Sequence, residues 1–305
     1  MKETDRIRGL WCAVLSPVTP DRTLDVAMFR EHAAGLLGRG VDGLAPFGTT
    51  GEGQSFSLAQ RRAGVDALLE SGIPAARIVP GTGCAALADT IELTRHAIDA
   101  GCPGVLLLPP FFFPGIGDDG VVESYRALIE GVADDRLRIY LYHIPQVTGV
   151  PIGVEAIERL VRDFPGIIAG VKDSAGSLEH SLALVRRFPT LSIFVGHEPH
   201  LANLLAAGGA GTVCGLANLY PERLRRLHDA KTETERREGV TYLRELIAAL
   251  QAHSLMPAIK AVRALQAGDA RWRNVMPPLI CLDGAAQAQL EAAIDTLNRK
   301  QPIAA

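Results

Sequence analysis

Lys172 is the side chain in this sequence best suited to covalent chemistry. It ends the apolar run Gly166-Ile167-Ile168-Ala169-Gly170-Val171 and precedes Asp173-Ser174-Ala175-Gly176. Of 31 basic residues only five are lysine, namely Lys2, Lys172, Lys231, Lys260 and Lys300. Where arginine supplies most of the positive charge, a lysine closing an apolar strand suits a task that a guanidinium cannot perform. Schiff-base formation with a carbonyl is such a task, since a desolvated amine gives up its proton and becomes a nucleophile. The plain alternative is a lysine that meets water where a strand ends. Two other segments carry suitable groups. Gly48-Thr49-Thr50-Gly51-Glu52-Gly53 offers backbone N–H groups and two hydroxyls ahead of a helix, a cradle for a small carboxylate, or simply a glycine-rich turn with a threonine cap. Tyr140-Leu141-Tyr142-His143-Ile144-Pro145 places Tyr140 and Tyr142 on one side of a strand, with Tyr142 nearer its end and able to exchange protons, or else merely packed.

These groups need a scaffold that brings strand ends together. Runs rich in Val, Ile and Leu recur at 10–15, 43–47, 77–80, 104–108, 137–142, 167–171, 191–195 and 211–214. Between them lie stretches of helical period, among them 26–37, 58–69, 87–98, 121–132 and 154–161. Asp25, Ser57 and Ser177 stand where helix caps belong. Eight strand-then-helix units predict an α/β fold, a (β/α)8 TIM barrel of parallel strands covered on both faces, with its chemistry at the C-terminal strand ends. A doubly wound sheet is the rival, but no G-x-G-x-x-G follows the first strand. From Pro221 onward only helical patterns remain, at 234–253, 255–267 and 285–297. The expected division is a barrel over 1–222 and a C-terminal helical extension over 223–305. Thr49, Tyr142 and Lys172 then fall at the same end of three different units. Alternation turns Asp173 to the opposite face of the strand from Lys172.

Composition narrows the function classes. The chain has 305 residues, is 48% hydrophobic and carries a net charge of −3 with both signs interspersed, leaving no basic footprint for nucleic acid and no polybasic membrane patch. The charged opening at residues 1–6 and the short apolar run at 10–15 do not make a signal peptide, and no stretch is long enough to span a membrane. Cys12, Cys84, Cys102, Cys214 and Cys281 are odd in number and lack CxxC spacing, which fits a reducing cytoplasm and argues against structural zinc.

With these motifs in order, the chain resembles the dihydrodipicolinate synthase and N-acetylneuraminate lyase family of class I aldolases. The likeness runs through Ser16-Pro17, Leu24-Asp25, Gly48-Thr49-Thr50-Gly51-Glu52, Pro109-Pro110-Phe111, Tyr142-His143-Ile144-Pro145 with Thr148-Gly149, Gly170-Val171-Lys172-Asp173, Gly196 with Glu198, and Gly215 to Asn218. It implies an imine between Lys172 and the C2 carbonyl of pyruvate or a pyruvate-derived 2-keto acid, with Tyr142 moving protons and Thr49 and Thr50 holding the carboxylate. Lys172, Tyr142 and Thr49 become the catalytic set, and Thr50, Gly48, Gly51, Gly196, Glu198 and Gly215 the substrate-binding set. The resemblance also implies no metal, no cofactor and a homotetramer built as a dimer of dimers, or a homodimer. The imine logic is sound chemistry: an iminium beside a carboxylate withdraws electrons from C3, so a C3–C4 bond breaks or forms through an enamine.

Departures from the family pattern bear on the substrate. Val147 stands where lysine-pathway synthases carry an arginine for the second substrate's carboxylate, and valine cannot form a bidentate ion pair. Phe112 stands at the position of a relay tyrosine that a neighbouring subunit donates. Glu198, Pro199 and Gly215 stand where sialic acid lyases present an acidic pair and a serine to sugar hydroxyls. What is left is a pyruvate-type imine site with a changed distal pocket, lined on expectation by His143, Gln146, Val147, His197 and Glu198, and suited to a 2-keto-3-deoxy sugar acid. Two rivals stand beside it: a metal-dependent barrel lyase using His143, His197, Glu198 and His200, and a keto-acid-binding homologue that has lost turnover. Among the other marked residues, Phe111 to Phe113 are expected at a subunit contact, Trp11 and Trp272 in packing, and Lys260 on a solvated helix face. Glu52 is expected to orient the threonine turn.

Overall fold

The computed structural model describes residues 6–301; the first five residues of the charged opening and the residues after 301 lie outside them. Among the described residues seven strands form one parallel sheet: β1 (Gly9–Cys12), β2 (Gly43–Leu44), β3 (Val105–Leu107), β4 (Ile139–His143), β5 (Ile168–Asp173), β6 (Ser192–Val195) and β7 (Gly211–Cys214). Their spatial order is β2-β1-β7-β6-β5-β4-β3. The helices are α1 (Val26–Gly38), α2 (Leu58–Glu70), α3 (Leu87–Asp99), α4 (Asp118–Val132), α5 (Pro145–Thr148), α6 (Val154–Asp163), α7 (Leu178–Arg187), α8 (Leu201–Ala206), α9 (Pro221–Asp229), α10 (Glu233–Gln251), α11 (Leu255–Ala267) and α12 (Gly284–Lys300).

The expected strand at 77–80 is not a strand but an extended segment between the two sheet edges. Bridges join Leu44 to Ile78 and Gly81 to Leu106. Val79 N–H donates to Leu44 O at 2.8 Å, Gly81 N–H to Pro46 O at 2.8 Å, and Leu106 N–H to Pro80 O at 2.9 Å. The ladder stays fragmentary for local reasons. Arg77 closes a 3₁₀ turn over Ala75–Arg77, and Pro80 has no N–H to donate. The second run is shortened similarly: Pro46 interrupts it, and Phe47 turns into the left-handed region with φ 59°.

Period-2 alternation decides what each strand presents, except in β5, where a bulge opposite Ile139 and Tyr140 leaves Ala169 unpaired and turns it to the face opposite Val171. Leu10, Cys12, Ile139, Leu141 and Val171 join the large core between sheet and helices. Trp11, Ala45, Val79, Leu106, Tyr140, Tyr142, Ala169, Phe194 and Val213 form a second cluster on the inner face. Each fully buried aliphatic side chain of this kind contributes about 1.5–3 kcal/mol. The caps read from sequence hold the helix starts: Asp25 accepts from Met28 N–H, Ser57 forms a capping box with Gln60, and Ser177 accepts from His180 N–H.

No strand follows β7 among the described residues. Helices α10, α11 and α12 pack on one another, and α10 also packs on the 198–200 turn beyond β6. Trp11 and Trp272 are buried, as expected of packing residues.

Candidate active site

Neighbouring strands β4 and β5 bring the two reactive side chains together. Tyr142 and Lys172 are register partners, and Lys172 is partnered on its other side by Phe194 of β6. Both side chains belong to the inner face, where Lys172 is 3% exposed. The Lys172 Nζ sits 3.9 Å from the centroid of the Tyr142 ring, a contact that aromatic π-density favours for a cation. Below it the inner face is hydrocarbon: Ala45, Val79, Leu106 and Val213, with the ring of Phe194. Among the described residues Lys172 forms no salt bridge, whereas Lys260 does.

The threonine turn completes the constellation. Thr49 Oγ1 lies 3.2 Å from Tyr142 Oη, either group being able to donate. Glu52 N–H donates to Thr49 O and Gly53 N–H to Gly48 O, each at 3.1 Å. Ser16 Oγ donates to Gly51 O at 2.7 Å. At Gly53 a Cβ would fall 1.9 Å from Phe47 O, so the turn closes only with glycine there. Glu52 takes φ 53°, a left-handed conformation unusual for a long side chain. Gly215, beyond β7, packs on Thr50: an added Cβ would meet Thr50 Oγ1 at 3.1 Å. Gly196, beyond β6, lies against Ser174, whose Oγ would be 1.9 Å from a Cβ. Gly48, Thr49, Thr50, Tyr142, Lys172, Gly196 and Gly215 therefore converge at one end of the sheet.

Other residues expected at the site are engaged differently. Glu198 is buried, and its Oε1 accepts from Leu216 N–H at 3.0 Å. Burial pushes its carboxyl above the usual range, against the lowering effect of the Leu216 N–H bond, and the acid is occupied by the backbone. His143 is not a pocket residue. It follows Tyr142 on β4 and so faces outward, where its Nδ1 accepts from Ile152 N–H at 3.1 Å and its ring lies 4.9 Å from that of His180. Gln146 Nε2 donates to Ser174 O at 2.7 Å, and Val147 is 59% exposed.

The proposed metal-ligand set does not assemble. His143 faces outward, Glu198 is bonded to the backbone, and His197 and His200 stack edge to face with centroids 4.6 Å apart. One different group, His143, Asp173 and His180, has donor atoms within 4.8 Å of one another among the described residues. Its nitrogens and oxygens are largely spent internally. His143 Nδ1 is held by Ile152 N–H, while Asp173 accepts from His180 Nδ1 at 2.9 Å, Ser181 Oγ at 2.6 Å and Ala175 N–H at 3.1 Å. Asp173 thus occupies the face opposite Lys172, as alternation requires.

Lys260 corrects an expectation. It is fully buried, paired with Glu52, and donates to Asn274 O at 2.8 Å. Its signal in the sequence was the one that marks Lys172: a rare lysine amid apolar neighbours, here Ile259, Ala261 and Val262. Asn218, missed as a site residue, joins several loops. Its Oδ1 accepts from Leu15 N–H, and its Nδ2 donates to Ala13 O and Gly215 O.

The chain is similar to known proteins over nearly its whole length. The model of the dihydrodipicolinate synthetase family matches residues 6–297. An uncharacterized DapA-like lyase of Chloroflexus aurantiacus is 34% identical over 301 residues, covering 95% of this chain and 97% of the relative. An Escherichia coli protein named "probable 2-dehydro-3-deoxy-D-pentonate aldolase" is 29% identical over 224 residues, 71% of this chain and 72% of its own. The crystal structure of dihydrodipicolinate synthase from Agrobacterium tumefaciens superposes with TM-score 0.89 at 33% identity, covering 95% of this chain and 99% of that one.

Proposed function

The chain belongs to the dihydrodipicolinate synthetase family and is a lyase, and from that premise we propose a class I aldolase acting on a 2-keto acid. The scaffold is read as a (β/α)8 barrel over 1–222 with a helical extension over 223–305. Lys172 Nζ adds to the C2 carbonyl, and loss of that oxygen as water leaves a protonated imine. The carboxylate lies against the Thr49 and Thr50 hydroxyls and the amides of the Gly48–Gly51 turn. Tyr142 relays one proton: its oxygen takes that of the C4 hydroxyl as the C3–C4 bond breaks and passes its own phenolic proton to C3, so the phenol ends as it began. The C4 fragment leaves as an aldehyde, and the bonding electrons pass into the enamine. Protonation at C3 and hydrolysis of the imine then release pyruvate and restore the amine. The juxtaposition that carries this reading is Lys172 beside Tyr142 on adjoining strands, with Thr49 Oγ1 within 3.2 Å of the phenol oxygen.

A 2-keto-3-deoxy sugar acid is the favoured substrate class. Val147 presents no cation to a second carboxylate, and Glu198 is engaged by Leu216. The name of the Escherichia coli relative points to the same class. Exposed Phe112 and Phe113, at 71% and 67%, supply an apolar patch for the proposed homodimer or homotetramer. The five free cysteines suit a cytoplasmic location.

Reductive trapping tests the mechanism. Borohydride with pyruvate is expected to inactivate the protein and to leave a pyruvate-derived adduct on Lys172, and Lys172→Ala is expected to abolish turnover while the circular dichroism spectrum is unchanged. Adduct on another residue, or full activity in the variant, rejects it. A panel of 2-keto acids, read for pyruvate release and for water loss, assigns the substrate class.

A further inference from the structure

We propose that the buried Glu52–Lys260 ion pair is a positioning device that ties the carboxylate-binding turn to the C-terminal helices, and so sets the affinity for the keto acid. The inference rests on the reading of Thr49 and Thr50 as the carboxylate cradle. Glu52 immediately follows that cradle, and its side chain points away from the reacting groups. Its Oε2 accepts from Met276 N–H at 2.7 Å, and its other oxygen pairs with Lys260. Lys260 Nζ also donates to Asn274 O, whose side chain donates to Val18 O at 2.9 Å. Two anchors, Lys260 and Met276, therefore converge on one acid at the end of the turn, and Asn274 braces the first of them.

The arrangement is directional. Glu52 and Lys260 have side chains that are 1% and 0% exposed, so neither charge has water as a substitute partner. Removing one leaves the other uncompensated, which a buried site resists strongly. The pair also holds Glu52 at φ 53°, which the side chain itself does not favour. Ile259, the neighbour of Lys260 on α11, reaches the Gly215 side of Thr50, its Cδ1 lying 3.7 Å from where a Cβ of Gly215 would stand. Helix α11 thus supports the turn at Glu52 and at the glycine that packs on Thr50. Lys260 itself is unfit as a second nucleophile, since it has no exposure and its ammonium is bonded to a carboxylate and a carbonyl.

The experiment compares wild type, Lys260→Met and Glu52→Gln by borohydride trapping across a pyruvate titration, with the Lys172 peptide quantified by mass spectrometry. A positioning role raises the half-saturating pyruvate concentration about tenfold or more in either variant, the scale of a weakened charge-assisted contact, while adduct yield at saturation stays near wild type. Amide hydrogen exchange of residues 48–53 accelerates in parallel. A merely structural role lowers yield through loss of folded protein without moving half-saturation. That result, or an unchanged titration with unchanged exchange, overturns the proposal. If Lys260→Met does not accumulate folded protein, Glu52→Gln decides by the same criteria, because its amide oxygen still accepts from Met276 N–H. If wild type forms no adduct, the aldolase reading falls, and hydrogen exchange alone decides whether the pair holds the turn.

Discussion

Tyr142 is the residue at which geometry and chemistry meet most closely. Its ring lies beside the Lys172 Nζ and its oxygen contacts Thr49, so one side chain touches both the nucleophile and the proposed carboxylate cradle. Removing the hydroxyl leaves the ring and its packing intact. Tyr142→Phe is therefore expected to reduce turnover about 10²- to 10⁴-fold, the range for loss of a positioned proton-transfer group, while pyruvate still becomes trapped on Lys172. Comparing adduct yield with steady-state rate checks it; equal loss of both would place the tyrosine in imine formation instead. At this scale Lys172 was legible because its rarity and its place at a strand end are sequence facts. His143 departs from expectation because the alternation that turns Tyr142 inward turns the next residue outward.

Strand β5 presents opposite chemistry on its two faces, with Lys172 inward and Asp173 outward against α7. Burial by itself would raise the Asp173 carboxyl, but hydrogen bonds from His180, Ser181 and Ala175 N–H hold it below the ordinary range. The bond to Asp173 raises His180 above its usual value. The signs follow from linkage. His180 adds stability that is fully present below its ordinary value of 6.5 and is lost as pH rises through its raised value. Asp173 adds stability present above 3.8 and lost as pH falls through its depressed value. The difference in melting temperature between wild type and His180→Gln is accordingly expected to be largest between these limits and to shrink as pH rises past the raised value. A difference that grows with alkaline pH would contradict the assignment. Elements of this kind were read well where period and caps agree, as in α1, α2 and α7. The segment at 77–80 has the apolar composition of a strand, whereas Pro80 and the preceding 3₁₀ turn reduce it to bridges.

Across the whole molecule, buried polar groups link segments far apart in the chain. His32 of α1 is bonded to Asn218 Oδ1 at 2.9 Å and packs edge to face on Trp272 of the C-terminal region, centroids 4.8 Å apart. Burial depresses its imidazole from 6.5 to about 3. The native protein thus keeps His32 neutral where the unfolded chain protonates it. Stability from this residue is present above 6.5 and falls as the solution is acidified, by about 1.4 kcal/mol per pH unit until the folded group also titrates near 3. Denaturant unfolding of wild type and His32→Gln between these limits is expected to show a shallower acid slope in the variant, and parallel slopes would refute the role.

The sequence by itself determined the strand-helix rhythm, the lysine, tyrosine and threonine turn at the same end of their units, and the family resemblance, because hydrophobic period and local motifs are properties of neighbouring residues. Tertiary structure alone decided that Lys260 is buried against Glu52, that Glu198 is bonded to Leu216 N–H, and that Asn218 joins the first and last strand ends. Those facts depend on which segments the folded backbone brings into contact. A charged side chain carries the same letter whether water or a carboxylate 208 positions away solvates it, and only the folded chain distinguishes the two.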